Sequence, residues 1–246
     1  MHKDRTIPPG LIPALITAAL LAIPLVAMRY TTEVQWDGSD FVIMGVLLFG
    51  SGLALEWFLR SGQSRLYRLA AVVAVGSTLL MTWANMAVGL LAGESHPRNA
   101  WLLTVTALAV IGSALARLRP RGMAWTLLAM AVLHTALTIA ALVGGWRPMR
   151  LGTVDVWGPN GLFILMFLCA AVLFSAAAGE GGKGAAAPAG GARRLLQALA
   201  LVAIGAAVAA GGIYVGALDD APGAGLIGLL AFAVSGVTAW RVYRSP

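Results

Sequence analysis

Residues 67–92, YRLAAVVAVGSTLLMTWANMAVGLLA, decide the fold. Beyond Arg68 the stretch carries no charged side chain. A hydrocarbon core about 30 Å thick needs roughly 20 apolar residues of helix at a rise of about 1.5 Å per residue. In lipid, a single stretch of that length satisfies its own backbone hydrogen bonds only as a helix. Working outward, the same reading applies to residues 10–28, 41–59, 100–116, 122–144, 161–178, 195–217 and 223–240. Charged or turn-rich stretches separate them, among them Arg60–Arg68, Arg117–Arg121 and Asp219–Pro222. The expectation is an all-α polytopic transmembrane helix bundle of about eight spans.

Composition agrees. Of 246 residues, 59% are apolar and 11% charged, and the mean hydropathy is +0.85. Soluble domains carry about 25% charged residues, and disordered chains are polar, so both classes are excluded. The lone Cys169 can form neither an intrachain disulfide nor a cysteine metal cluster. The first span has a basic start, but it is too long for a signal-peptide core and no small-x-small cleavage site follows. It is expected to remain as a helix, kinked at Pro13 and Pro24.

The net charge is +7. The basic residues sit in short connections between apolar runs, so they read as orientation signals rather than a nucleic-acid surface. With a cytoplasmic N-terminus, 13 of the 17 Lys and Arg fall on inner loops and tails. Arg29, Arg98, Arg147 and Arg150 fall outside. Both termini are therefore expected in the cytoplasm. The sharpest shift in composition is GEGGKGAAAPAGGA at 179–192, a flexible-linker composition. The domain reading is a six-span bundle over 1–178, a linker over 179–194 and a two-span hairpin over 195–246.

Three runs carry a resemblance: VAMRYTTEVQWDGSDFVIMGVLLFGSGLALE at 26–56, TWANMAVGLLAGESHPRN at 82–99 and ARLRPRGMAWTLLAMA at 116–131. Over residues 25–178 the chain resembles a family of small uncharacterised bacterial multi-pass integral membrane proteins. It departs from the family pattern at Met86, where glycine is usual, and at HPRN in place of NPAN. The hairpin 195–246 is similar to small bacterial two-span proteins and looks like an appended module. The resemblance implies a bacterial inner membrane and supplies no activity, because the family has none assigned.

Polar groups within a span are costly and each needs a reason. Glu56 sits one turn before Arg60, about 6 Å from the inner edge by helical rise. The pair is spaced for an i, i+4 ion pair with the acid first; the sharper alternative is a proton- or cation-coupled site. Asn85 shares a stripe with Thr78 and Thr82 and reads as an interhelical hydrogen-bonding group or a substrate-facing amide. His134, with Thr138 one turn on, reads as a buried hydrogen-bonded histidine or a relay. His2 and His96 lie towards opposite faces and far from the midplane, which argues against a bis-histidine haem within one chain. Asn85 and His134 are expected to face the bundle interior, meeting directly or through Thr104 or Thr106.

Glu33, Asp37 and Asp40 form an acidic outer surface around Trp36, read as a cap supplied by Ser39 or Asp40 and alternatively as a cation or partner site. Gly89–Gly93, Gly212–Gly216 and Ala224–Gly228 read as close helix-packing motifs. The sequence holds no nucleotide-binding glycine loop, no HExxH, no GxSxG and no CxxC. No catalytic residue, cofactor or metal is therefore expected, and the chain is read as not an enzyme. The expected partners are the lipid bilayer and other membrane proteins or a second copy, without nucleic acid. The reading of function is a non-enzymatic scaffold or accessory subunit; the alternative is a small-molecule or ion transporter or channel with a polar path near His134, Asn85 and Glu56.

Overall fold

The computed structural model describes residues 8–61, 64–94, 96–146, 153–181 and short stretches between 233 and 241. Among these, all regular structure is helical. Six helices are long and apolar enough to cross a membrane. They are α1 (Leu11–Tyr30), α2 (Gly38–Arg60), α3 (Arg65–Val88), α4 (Leu103–Leu115, extended by a 3₁₀ turn over Pro97–Leu102), α5 (Pro120–Val143) and α6 (Thr153–Gly181). The expected spans at 195–217 and 223–240 lie outside the described residues, apart from helical positions between Ala233 and Arg241. Most of the linker is outside them too, although α6 runs through its first residues to Gly181.

The chain divides into two compact units, Met1–Gly62 and Gln63–Pro246. The first is an α1–α2 hairpin. Asp37 starts α2 with a reciprocal capping box: its Oδ1 accepts from the backbone of Ser39 (2.7 Å) and Asp40 (3.0 Å), while Asp40 Oδ2 accepts from Asp37 N–H (2.9 Å). This corrects the expectation of Ser39 or Asp40 as the cap. The helix therefore begins at Gly38 rather than at 41. At the other end of the hairpin, a Cβ on Gly52 would stand 2.9 Å from Pro13 Cβ, so the missing side chain lets α1 approach α2. Pro13 lies in the first turn of α1, where a missing N–H removes no helical bond. Pro24 lies inside a helix that runs unbroken from Leu11 to Tyr30.

The second unit holds the buried core. Helix α6 packs along α5 and along α3, and α5 packs against α4. Phe167, Ala170, Leu173 and Phe174 of α6 are almost wholly buried, with Tyr67, Ala70 and Ala71 of α3 and Leu127 and Met130 of α5. Tyr67 and Phe174 meet edge-on with ring centroids 5.1 Å apart. A Cβ on Gly112 would fall 2.3 Å from Thr126 Cγ2, so α4 and α5 cross closely there. Pro120 supplies the first residue of α5, its fixed φ already helical.

Two helix ends differ from the sequence reading. Helix α3 stops at Val88, not at residue 92, and Gly89 closes it in the left-handed region with φ 68°. Helix α6 starts at Thr153, eight residues before the expected 161, and carries Pro159 inside it. Gly158, Pro159 and Gly161 are helix-disfavouring residues in water. Among packed membrane helices, neighbours can satisfy the backbone groups that a proline frees.

Candidate functional site

The site is built where α3 ends. Leu90, Leu91 and Ala92 leave the helix yet are 6%, 1% and 4% exposed, so non-helical backbone is buried inside the unit. Such backbone is tolerated in a membrane protein only when protein groups complete its hydrogen bonds. Here asparagine side chains complete them. Asn99, in the 3₁₀ turn, accepts on Oδ1 from the N–H groups of Leu91 (3.2 Å) and Ala92 (3.0 Å) and donates through Nδ2 to Gly93 O (2.6 Å). Asn160, on α6, donates through Nδ2 to Leu90 O and to Val156 O, each at 2.8 Å. Asn85, in the last turn of α3, donates to Asn99 O at 2.9 Å.

Gly89 and Gly93 both have positive φ, 68° and 80°. A Cβ on Gly89 would stand 2.1 Å from Gly93 O and 2.2 Å from Asn99 Nδ2. The pair is therefore a loop device and not the helix-packing motif expected from its spacing. The other two small-residue motifs lie outside the described residues.

His134 connects α5 to this loop. Its ring is wholly buried, Nε2 lies 2.7 Å from Asn160 Oδ1, and Phe163 stacks on it at 6.5 Å between centroids with an 18° interplanar angle. Both hydrogens of Asn160 Nδ2 go to carbonyls, so Oδ1 is an acceptor and His134 Nε2 carries the hydrogen. Thr138 Oγ1 donates back to His134 O at 2.9 Å. One polar chain thus runs from His134 through Asn160, the Leu90–Gly93 loop and Asn99 to Asn85. Among the described residues two acceptors on it have no partner, His134 Nδ1 and Asn85 Oδ1.

Asn85 and His134 are both buried. They join neither directly nor through a threonine, which corrects the expected contact. Thr106 bonds Thr82 at 2.7 Å, and Thr104 is exposed and turned to Trp101 O. The sequence reading missed Asn99 and Asn160. Asn99 lies two residues after a proline in HPRN, and Asn160 lies between a proline and a glycine in GPNG, so both fall in stretches rich in helix breakers. The available signal is an amide flanked by apolar runs on either side.

Glu56 belongs to the first unit. Its carboxylate accepts from Gly10 N–H at 2.9 Å and pairs with Arg60. Asp37 and Asp40 are spent on each other's backbone. The Ser39 hydroxyl, first, and the Asp40 and Ser39 amides hold the Asp37 carboxyl below its ordinary pKa. Glu33 is exposed. Among the described residues no group of His, Cys, Asp and Glu is placed to hold a metal ion. At the loop end of the second unit, Arg98 lies over the Trp146 ring at 5.1 Å.

No protein-family model matches the chain, and neither a curated protein nor a solved structure does.

Proposed function

We propose that this chain is an integral protein of the bacterial inner membrane that acts as a non-enzymatic scaffold or accessory subunit. In this reading it has eight spans and cytoplasmic termini, and the linker 179–194 joins the hairpin 195–246 to the larger bundle. The thirteen-to-four division of Lys and Arg supports the orientation. The six helices long and apolar enough to cross a membrane support the membrane reading.

One observation carries the scaffold reading. The buried amides of Asn99 and Asn160 are spent on the backbone of Leu90–Gly93. His134 is spent on holding Asn160. Polar groups used this way fix a shape, which a protein that binds other membrane proteins needs. A transporter is the second reading, favoured by the two unpartnered buried acceptors, His134 Nδ1 and Asn85 Oδ1. A water or a substrate N–H or O–H group would satisfy them. Glu56 adds nothing to that reading, since its carboxylate is already paired.

His134→Leu separates the two. As a scaffold, the variant complements a deletion strain and loses only about 1–2 kcal/mol of stability in detergent, the scale of one interhelical hydrogen bond. A stable variant that fails to complement would overturn the scaffold reading.

A further inference from the structure

At the end of the second unit opposite the buried loop, the chain gathers arginines. Tyr67 OH donates to Leu118 O at 2.7 Å, tying the start of α3 to the α4–α5 turn. Arg65 and Arg68 flank Tyr67, Arg117 and Arg119 flank Leu118, and Arg121 follows in the first turn of α5. All five are exposed. Among the described residues none of them has an ion-pair partner, since the ion pair found there joins Arg60 to Glu56 in the other unit. The sequence holds no acidic residue between Glu56 and Glu94, nor between Glu94 and Asp155. Glu180 is the acidic residue that α6 brings towards this end by position.

The turn that presents these arginines is strained. Arg117 and Leu118 have φ of 49° and 55°, a left-handed pair without glycine. Such residues persist only where their surroundings hold them. Here Tyr67 holds it. Directly along the helices from the arginines lie large apolar side chains facing outward: Leu115 is 80% exposed and Trp125 71%. Trp125 stands one turn beyond Arg121 on α5, on the same helix face.

We propose that this face binds the headgroup of an anionic phospholipid, its phosphate held by Arg117, Arg119 and Arg121 with Arg65 and Arg68 beside them, and its acyl chains laid along Leu115 and Trp125. Guanidinium forks match phosphate oxygens in pairs. The exposed apolar side chains of Leu115 and Trp125 near the charges are what select a lipid over a free anion or an acidic protein segment. Basic clusters at the ends of membrane helices are a general means of holding anionic headgroups.

The test uses the full chain, purified in mild detergent and titrated with dioleoylphosphatidylglycerol, dioleoylphosphatidylcholine and inorganic phosphate while bound lipid is counted by native mass spectrometry. The native chain should bind phosphatidylglycerol saturably. The triple variant Arg117→Gln, Arg119→Gln, Arg121→Gln should bind it about a hundredfold more weakly, from about fivefold per arginine. Phosphatidylcholine should bind both alike. Equal phosphatidylglycerol binding by the two proteins would overturn the proposal. So would displacement of the lipid by equimolar inorganic phosphate, which would mean a free-anion site, or by poly-glutamate, which would mean an acidic protein partner. Should the glutamine variant not fold, the triple Arg→Lys variant keeps the charge and should lose less than tenfold. In addition, raising NaCl tenfold should weaken phosphatidylglycerol binding to the native chain and leave phosphatidylcholine binding alone. Salt-independent phosphatidylglycerol binding would overturn the proposal by itself.

Discussion

His134 Nε2 and Asn160 Oδ1 lie 2.7 Å apart inside the second unit, and the same amide holds Leu90 O at 2.8 Å. The histidine therefore acts on the loop through the asparagine. Removing the asparagine should cost more than removing the histidine. We expect Asn160→Leu to lose about 2–4 kcal/mol, because it frees the buried Leu90 carbonyl as well as His134 Nε2–H. His134→Leu should lose about 1–2 kcal/mol. The double variant should cost no more than about 0.5 kcal/mol beyond Asn160→Leu alone, since the second change removes a group already without its partner. Chemical unfolding of all three proteins in one detergent measures this. Fully additive losses would show that the two side chains act separately.

Gly89→Ala should be among the most damaging small substitutions in the chain. Its φ of 68° disfavours any Cβ, and the added atom would meet Gly93 O and Asn99 Nδ2 at 2.1 and 2.2 Å. A loss above about 3 kcal/mol, or failure to accumulate in the membrane, is expected. Gly76, mid-helix in α3 with nothing within 4 Å of a built Cβ, is the control. Gly76→Ala should be neutral or gain up to about 1 kcal/mol from helix propensity. Equal behaviour of the two variants in a thermal-stability assay would refute the close approach at Gly89.

The Asp37 cap should respond to acid. Its carboxyl is held below the usual 3.8, first by the Ser39 hydroxyl and then by the Asp40 and Ser39 amides. A depressed folded pKa means that the cap's contribution is complete above the unfolded pKa. It fades as pH falls through the lower folded value. The amide proton shifts of Ser39 and Asp40, followed by NMR from pH 5 to pH 2, should move together, with a midpoint below 3.8. Asp37→Asn should abolish the transition while keeping most of the cap, since asparagine caps nearly as well.

Orientation and modularity are open to fusion and truncation. Reporters after Arg68, Arg121 and Ala187 should read cytoplasm, and those after Gly38 and Arg150 the opposite side. Reversal at two adjacent connections would refute the orientation. The chain ended after Gly181, the last residue of α6, should remain monodisperse in detergent, because a Gly/Ala linker carries little packing. Aggregation of that truncation would mean that the hairpin completes the bundle.

The helical class and the positions of the six described spans follow from apolar run length, because lipid leaves a crossing chain few other forms. Asn85, His134 and Glu56 were legible as polar residues in apolar runs. Their partners were not. Asn99 and Asn160 sit beside His96–Pro97 and Gly158–Pro159, where the rules for water-exposed turns dominate the reading. In the folded chain those stretches are a 3₁₀ turn and the first turns of a helix. Gly89 and Gly93 show the same limit. Their spacing matches a helix-packing motif, and only a positive φ distinguishes that use from a loop. Spacing carries the period of a helix but not the place where it stops.

The bond from Asn160 to Leu90 O spans 70 positions of chain. At synthesis rates of about 5–20 residues per second, Asn160 emerges roughly 4–14 s after Leu90. Through that interval the Leu90 carbonyl waits for its donor, and for the last 26 residues of it the ring of His134, made before α6, waits for its acceptor. The first five helices can enter the bilayer as they are made, but the turn after the third is finished only by the sixth. A ribosome stalled between Val143 and Asn160 would leave a nascent protein with its first five helices made and that one corner still wet.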